Sequence, residues 1–336
     1  MSYNTIRLAI IGGGRWGFNH IKTAYSLLNS SQIIVVDPNR EVEKRMHENN
    51  IQEVRYFPDF DTALNDPLIN SVIIATPAET HFSLALEFLK KGKNVLVEKP
   101  ITLNVEEAEE LVSIAEERSL KLMVGHVLLY HPAVKKIKEE ILNGRIGKLQ
   151  YIYSNRLNLG AVRTEENILW SFAPHDISII QFLVDAIPES IIARGSQFLQ
   201  NGIEDTTLTY INYPDNVSAH IFVSWLHPFK EQRLVVVGSE GMFVFDDTLK
   251  EGKLKFYKKG FKSVNGKIEK FDSEYEIIRI AEAMPLAEEQ KHFFDCVEKD
   301  EKPLTDGRHA VEVLKILEEA TQFLKLEYAK STNEFI

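Results

Sequence analysis

Short apolar runs alternate with amphipathic stretches over the first 125 or so residues. The runs are rich in β-branched residues and nearly continuous in hydrophobicity, which is typical of parallel strands buried on both faces. In the stretch 105–117, apolar residues recur at i, i+3, i+4 and i+7 from Ala108, the period of an amphipathic helix. Six strands with intervening helices predict a doubly wound sheet, and we place this α/β domain at residues 1–125. The predicted strands are Ile6–Ile11, Ile33–Val36, Val54–Tyr56, Ser71–Ala75, Asn94–Val97 and Leu120–Val124, and the helices are Trp16–Leu28, Arg40–Glu48, His81–Lys90 and Val105–Glu117.

The pattern changes after Gly125. Longer runs that alternate apolar and polar residues, separated by turn signals, predict a mostly antiparallel open sheet. We therefore expect an α+β domain at 126–336, and leave open whether its final helices pack back on the first domain. The polar, Lys-rich stretch 258–280 is predicted to be a mobile loop or an edge region. The predicted strands are Lys148–Arg156, Ser190–Phe198, Thr206–Asn212, Ser218–Trp225, Arg233–Val237, Met242–Asp246 and Lys253–Tyr257, and the helices are Pro132–Leu142, Pro174–Leu183, Leu286–Glu298 and Arg308–Tyr328.

A glycine-rich turn joins the first predicted strand to the first helix. Gly12, Gly14 and Gly17 form the pattern G-x-G-x-x-G. In a dinucleotide-binding turn the first glycine permits the bend, the second admits a pyrophosphate, and the third lets the helix pack on the strand. The N–H groups of that helix then face the phosphates. The motif, with Arg15 and Trp16 inside it, predicts a dinucleotide site; the alternative is a Rossmann-like turn that binds no nucleotide.

The second predicted strand ends in Asp37, about 20 residues after Gly17. A carboxylate there accepts hydrogen bonds from the ribose hydroxyls and repels a 2′-phosphate, so it favours NAD over NADP. Arg40 lies close enough along the chain to weaken that preference. The predicted cofactor is therefore NAD.

Polar residues follow the fourth and fifth predicted strands, whose carboxyl ends line the crevice of such a sheet. Thr76 and Pro77 close the fourth strand, and His81 either contacts the ligand or is an ordinary first-turn residue of the next helix. Glu98 and Lys99 close the fifth strand. Lys99 could exchange a proton with a substrate hydroxyl, because burial and a positive nicotinamide would lower its pKa. The alternative is a surface lysine in a turn.

Histidines supply further candidates. His175 follows Pro174 at the predicted start of a helix, where it is either a general base or a structural residue. His126, Tyr130 and His131 lie where the two predicted domains meet, and they either line the cleft or pack there.

Composition narrows the class of protein. With 39 basic and 49 acidic residues the net charge is −10, and without a Lys/Arg cluster this argues against nucleic acid or an anionic membrane as the partner. The single cysteine, Cys296, excludes an intramolecular disulfide and a Cys-based zinc site. No metal motif is present, so we expect no metal. The sequence shows neither a signal-peptide pattern nor a long uncharged apolar window, and we expect a cytoplasmic protein.

Taken together, these motifs resemble the Gfo/Idh/MocA family of oxidoreductases over essentially the whole chain. The similarity rests on the glycine turn, Asp37, the Ala75–Pro77 segment with His81, the Glu98-Lys99-Pro100 triplet and His175. It implies a Rossmann domain, a second domain whose open sheet mediates a homo-oligomer (dimer or tetramer), and NAD-dependent oxidation of a sugar or polyol hydroxyl. By the resemblance, Lys99 and His175 are the catalytic pair. Many members carry an Asp four residues before that histidine, where this chain has Ser171, so an Asp/His relay is in doubt.

Within the family, the stretch 155–176 is most similar to sugar-nucleotide 3-dehydrogenases. That similarity implies oxidation at C3 of UDP-N-acetylglucosamine or its uronate, which gives a 3-keto sugar for a later aminotransferase. Arg156 and Arg163 could bind a diphosphate or carboxylate, or could simply be solvated. Two alternatives stay open: an inositol or free-sugar dehydrogenase, and an NAD-sensing regulator without catalysis. The substrate contacts that the resemblance implies are Lys99, Tyr130, Asn155, Arg156, Arg163, Trp170, His175 and Asp176.

Overall fold

A computed structural model describes the backbone of residues 3–333 and the side chains of residues 3–326. The chain forms two compact units. The first comprises Met1–Tyr130 and Ala283–Val311, and the second comprises His131–Glu282 and Glu312–Ile336. The segment 283–311 thus belongs to the unit that also contains the predicted first domain.

The first unit contains a six-stranded sheet in the order β3-β2-β1-β4-β5-β6. All neighbouring strands are parallel. Strands β1, β2 and β4 are buried along their whole length, as their continuous hydrophobicity predicts. The Rossmann topology predicted from the alternating pattern is confirmed. The strands are β1 Leu8–Ile11, β2 Ile33–Val36, β3 Arg55–Phe57, β4 Ser71–Ile74, β5 Asn94–Val97 and β6 Leu122–Val124.

Amphipathic helices connect these strands. In α5 the buried residues include Ala108, Leu111, Val112 and Ala115, which is the predicted stripe, and the Asn104 side chain caps its first turn. Ile10, Val35 and Leu96 of the sheet share a core with Phe18 and Ile21 of the first helix. The helices are α1 Gly17–Leu27, α2 Glu41–Glu48, α3 Asp61–Asn65, α4 His81–Lys90 and α5 Val105–Glu117.

The second unit contains an eight-stranded sheet in the order β16-β13-β12-β11-β7-β10-β9-β8. The β7–β10 pair is parallel and the other neighbouring strands are antiparallel, so the predicted mostly antiparallel sheet is confirmed. The strands are β7 Leu149–Leu159, β8 Ser190–Ser196, β9 Thr206–Tyr213, β10 Val217–Ser224, β11 Leu226–Gly238, β12 Met242–Asp246, β13 Leu254–Tyr257 and β16 Tyr275–Ile277, and β14 Gly260–Val264 pairs separately with β15 Lys267–Phe271.

One prediction in this unit needs correction, and the structure decides between the two alternatives of another. The helix predicted to begin at Pro174 begins six residues earlier, as α7 Ile168–Val184, because the Asn167 side chain caps it and Pro174 is accommodated inside. The Lys-rich stretch 258–280, predicted to be a mobile loop or an edge region, is an edge region: it forms the β14–β15 hairpin and then β16, the edge strand of the eight-stranded sheet. Asn265 and Gly266 both have positive φ, which is the backbone of a tight hairpin turn.

Three further helices complete the described chain: α6 Pro132–Leu142, α8 Pro285–Lys299 and α9 Gly307–Asn333. Helix α8 packs on α1 within the first unit, and α9 begins in the first unit and continues in the second. Cys296 of α8 is fully buried. Among the helices of the described residues, none combines the length and the apolar character that crossing a membrane requires.

Candidate active site

The glycine turn packs tightly against its neighbours at Gly12 and Gly17 and is open at Gly14. Gly12 has a φ of +93°, and a Cβ there would lie 2.7 Å from the Ala75 carbonyl oxygen. A Cβ on Gly17 would lie 2.1 Å from the Gly12 carbonyl oxygen, so strand and helix approach too closely for any side chain. A Cβ on Gly14 would have no neighbour within 4 Å. The exposed backbone at Gly14 therefore leaves room for a ligand, which fits a dinucleotide pyrophosphate.

Asp37 is tied to this turn. Its carboxylate accepts hydrogen bonds from the backbone N–H of Gly13 at 2.6 Å and of Asn39 at 2.8 Å. The side chain is only partly buried. A half-exposed carboxylate at the end of β2 fits the predicted ribose contact, and these two hydrogen bonds hold it in place.

His81 is the first residue of α4, and protein carbonyl groups lie beside its ring. Its Nδ1 lies 2.7 Å from the carbonyl oxygen of Pro100, and its Nε2 lies 3.0 Å from the carbonyl oxygen of Thr76. The ring is buried between the segments that follow β4 and β5. Thr76 itself shares a hydrogen bond with the Thr80 hydroxyl. Because protein carbonyls face both ring nitrogens, the structural alternative is favoured for His81 over a ligand contact.

Glu98, at the end of β5, is the centre of a buried hydrogen-bond cluster. Its Oε1 accepts from Trp16 Nε1 at 2.5 Å and lies 2.7 Å from His20 Nε2. Its Oε2 accepts from the backbone N–H of Lys99 at 3.2 Å. Burial opposes ionisation, but the hydrogen bonds from His20 and Trp16 and the nearby charge of Lys99 outweigh it, so the pKa of Glu98 lies below its usual value. Glu98 is a buried anion linked to the glycine turn.

Lys99 follows directly and is half-buried, before a cis peptide bond to Pro100. His126, at the end of the neighbouring strand β6, is fully buried, and its ring lies edge-on to that of His309, with 5.5 Å between centroids. Burial, His309 and the charge of Lys99 together lower the pKa of His126 well below the usual value. The carboxyl ends of β5 and β6 therefore present a cation beside a neutral histidine.

Tyr130 is a core residue. It is 1% exposed, and its hydroxyl lies 3.3 Å from the Thr305 hydroxyl oxygen. It belongs to the same apolar cluster as Phe293 and Phe294. The packing alternative is thus favoured for Tyr130 over the predicted substrate contact.

In the second unit, Arg156 and Asp176 form a buried ion pair. Arg156 Nε donates to Asp176 Oδ2 at 2.7 Å, and Nη2 donates to Oδ1 at 3.1 Å. The Ser154 hydroxyl also donates to Oδ1 at 2.6 Å. Asp176 is 1% exposed, so it serves Arg156 rather than a ligand. Asn155 of the same strand donates to Glu231.

The other predicted residues of this unit are Arg163, Trp170 and His175, and each has its own surroundings. Arg163 is exposed and pairs with Glu166 at 2.9 Å. Trp170 donates from its indole to the Thr321 hydroxyl at 2.9 Å. His175 is half-buried in α7. Its pairing with Lys99, which belongs to the other compact unit, stays a prediction.

Two family models match the chain. One, described as an oxidoreductase family with an NAD-binding Rossmann fold, matches residues 6–126, and the other, a Gfo/Idh/MocA C-terminal domain, matches residues 134–244. The chain belongs to the Gfo/Idh/MocA family. As a member of it, the protein is an oxidoreductase whose cofactor is NAD, as predicted.

Individual relatives within the Gfo/Idh/MocA family differ in substrate. A scyllo-inositol 2-dehydrogenase (NAD(+)) of Bacillus subtilis is 29% identical over 317 residues, 89% of this chain and 88% of the relative. A UDP-N-acetylglucosamine 3-dehydrogenase of Acidithiobacillus ferrooxidans is 28% identical over 191 residues, 56% of this chain and 58% of the relative. The solved structure of the latter enzyme has a TM-score of 0.82 at 24% identity and covers 96% of this chain and 98% of its own, which shows a shared fold.

Three polar residues of the site were not predicted: His20, Glu289 and Gln290, all fully buried. A signal for Glu289 exists in the sequence. Phe293 and Cys296 follow it at i+4 and i+7 in α8, so the helical period places Glu289 on the buried face.

Proposed function

We propose that the protein oxidises a ring hydroxyl of a sugar, with Lys99 as the residue that handles the hydroxyl proton. The observation that carries this proposal is the link between Lys99 and the cofactor turn. Glu98 precedes Lys99 and accepts a hydrogen bond from Trp16, which lies between Gly14 and Gly17. The candidate proton-transfer residue is therefore fixed to the segment that cradles the dinucleotide.

The chain's own groups perform the acid–base part of this reaction. Bound NAD supplies the hydride acceptor. Lys99 first releases a proton from its ammonium group, and the resulting amine accepts the proton of the substrate hydroxyl as the carbon–hydrogen bond breaks. The buried anion of Glu98 accepts a hydrogen bond from the Lys99 backbone N–H and so holds that backbone in place, and the lowered pKa of His126 keeps this neighbouring histidine neutral. The additional role predicted for His175 as acid/base or substrate anchor remains part of the proposal.

For the substrate we propose UDP-N-acetylglucosamine or its uronate, oxidised at C3 to a 3-keto sugar nucleotide that a later amination can use. Support comes from the relative that bears this activity in its name and from the similarity of residues 155–176 to such enzymes. The predicted place of action is the cytoplasm, where both NAD and nucleotide sugars are available.

An inositol or free sugar is the second candidate, and two observations favour it. The scyllo-inositol dehydrogenase matches a larger share of the chain. The two arginines predicted to hold a diphosphate each have a carboxylate partner already: Arg156 pairs with Asp176, and Arg163 pairs with Glu166. A regulator without catalysis is disfavoured because Lys99 and His175 are both present.

A substrate panel separates these candidates. We would measure NADH formation with UDP-N-acetylglucosamine and its uronate, with free N-acetylglucosamine and its uronate as matched controls that lack the nucleotide, and with scyllo- and myo-inositol. Turnover of the nucleotide sugars alone supports the first candidate. Turnover of inositols or free sugars supports the second. NAD binding without turnover of any compound would contradict the proposed dehydrogenase.

We further propose that the open face of the eight-stranded sheet joins two or four copies of the chain. Ile192, Leu208 and Tyr210 alternate with buried neighbours along β8 and β9 and are 46%, 45% and 39% exposed. Tyr153 stacks on His220 on the neighbouring strands, with ring centroids 5.4 Å apart. Light scattering should give a dimer or tetramer for the protein, and a smaller species for the Leu208→Lys variant.

A further inference from the structure

Glu289 of α8 is a buried carboxyl group whose neutralising partner is not evident. Its side chain is 0% exposed. Neither carboxylate oxygen has a hydrogen-bond partner in the described part of the chain. One oxygen lies within 4.8 Å of both the Glu98 carboxylate and a ring nitrogen of His20. Two buried carboxyl groups thus lie side by side, and one of them, Glu98, directly precedes Lys99 in the chain.

The hydrogen bonds around His20 determine which nitrogen carries its proton. Gln290 Nε2 lies 3.1 Å from the His20 carbonyl oxygen, which only accepts, so the amide nitrogen rather than the amide oxygen belongs there. The same amide nitrogen lies 3.0 Å from His20 Nδ1. Nδ1 is therefore the acceptor in this bond, and Nε2 carries the hydrogen and donates it to Glu98.

This arrangement is asymmetric for the two carboxyl groups. Glu98 accepts from His20, from Trp16 and from the backbone of Lys99, which favours its charged form. Glu289 accepts from no described donor and lies beside that negative charge. Burial and the charge of Glu98 raise the pKa of Glu289 well above its usual value. The pair can hold one negative charge, on Glu98, but not two.

A metal ion fits this cluster poorly. His20 Nε2 has a hydrogen where a metal would need its lone pair, and Glu98 Oε1 already accepts from two nitrogens. A proton neutralises Glu289 without disturbing either contact.

We propose that Glu289 and Glu98 form a carboxyl pair that holds one proton, carried by Glu289, and that Glu289 is a positioning residue acting through Glu98 on Trp16 and Lys99. The role of Glu289 in turnover rests on the function proposed above. The protonation of Glu289 does not depend on that function. The pair keeps a single negative charge, on the residue that directly precedes Lys99.

The protonation is tested by infrared spectroscopy and by thermal unfolding against pH. The wild type should show the carbonyl stretch of a protonated carboxylic acid at neutral pH, and Glu289→Gln should lack that band. Because the pKa of Glu289 is raised in the folded state, its contribution to stability is complete below the ordinary value of 4.5 and is lost as the pH rises towards the folded value. The gain in Tm of Glu289→Gln over the wild type should therefore increase from pH 4.5 upwards, by about 2 °C or more.

A matched control is Glu288→Gln, which alters the partly exposed neighbour that pairs with Lys291. It should keep the infrared band and show no such increase. If the wild type lacks the band and the Tm difference is flat with pH, the proposal is wrong. If divalent metal raises the wild-type Tm and Glu289→Gln abolishes the effect, the site holds a cation and the proposal is equally wrong.

Glu289→Met is a second variant in case Glu289→Gln does not fold. Because the native group is proposed to be neutral and accepts no hydrogen bond, a neutral side chain of similar size should be tolerated at this position. Failure of both variants to fold would overturn the proposal. For the positioning role, Glu289→Ala should lower kcat about tenfold with KM nearly unchanged, and Glu289→Gln should restore it; equal loss in both would contradict that role. If no sugar is turned over at all, the proposed function fails while the infrared and Tm results still decide the protonation.

Discussion

The indole of Trp16 donates a hydrogen bond to the carboxylate of Glu98, 82 residues further along the chain. This bond joins the glycine turn after β1 to the end of β5, where Lys99 lies. In a doubly wound sheet these two segments are at the same edge, because the carboxyl ends of parallel strands lie together. The bond connects the cofactor turn to the segment that carries Lys99, the residue proposed to transfer the proton.

Replacing Trp16 by Phe should remove this donor and leave Glu98 less well stabilised as an anion. We expect a loss of about 1 kcal/mol in the free energy of unfolding, measured by urea titration, and NAD binding several-fold weaker by calorimetry. Because the pKa of Glu98 is lowered in the folded state, the loss should be present at neutral pH and disappear as the pH falls through the folded value. Trp170→Phe removes an indole donor to the neutral Thr321 hydroxyl, so its effect should not depend on pH in this way.

Gly14 and Gly17 should respond differently to alanine. A Cβ on Gly14 meets nothing in the protein, whereas one on Gly17 collides with the Gly12 carbonyl. Gly14→Ala should therefore keep the wild-type Tm and lose at least tenfold in NAD affinity, since the added methyl occupies the space for the pyrophosphate. Gly17→Ala should lower the Tm. Unchanged NAD affinity in folded Gly14→Ala would show that the cofactor does not approach this backbone.

Arg156→Ala should destabilise the second unit strongly, because it leaves the buried charge of Asp176 without its partner. Losses in such cases are about 3–5 kcal/mol. Arg163 is 47% exposed, and Arg163→Ala should change stability by less than about 0.5 kcal/mol. Urea titration measures both. A double variant, Arg156→Ala with Asp176→Ala, should recover part of the loss; no recovery would mean that the pair is not what stabilises this region.

Lys99→Met should abolish most turnover while NAD binding persists. Removal of a general acid–base group costs about 10²–10⁴-fold in rate. The control Lys90→Met changes an exposed lysine near the end of α4 and should retain full activity. If the Lys99→Met variant turned over substrate at the wild-type rate, Lys99 would not be the residue that transfers the proton.

The sequence is most informative where a short motif is needed for one particular backbone geometry. The glycine turn and Asp37 could be assigned because their spacing reflects one local geometry, and the buried parallel strands could be assigned from continuous hydrophobicity. The predicted start of helix α7 is wrong because a proline is common in the first turn of a helix, whereas the capping residue of α7 is Asn167 and Pro174 lies inside the helix.

Pairing between distant polar residues was not predictable in the same way. Arg156 and Asp176 lie on a strand and a helix, and nothing in their spacing reveals that each neutralises the other. His20, Glu98 and Glu289 come from three elements that meet only after the first unit has folded. A single sequence shows which residues are charged and where hydrophobic residues recur with a helical or strand period. It does not show which residues meet in three dimensions, and those contacts decide whether a charged residue binds a ligand or stabilises the fold.

The most direct test of the central claim uses UDP-N-acetylglucosamine that carries deuterium at C3, incubated with the protein and NAD. We expect the reduced cofactor to carry the deuterium and a 3-keto sugar nucleotide to accumulate, and we expect neither product with Lys99→Met. Reduced cofactor without deuterium, or reduction of NAD by scyllo-inositol alone, would contradict the central claim.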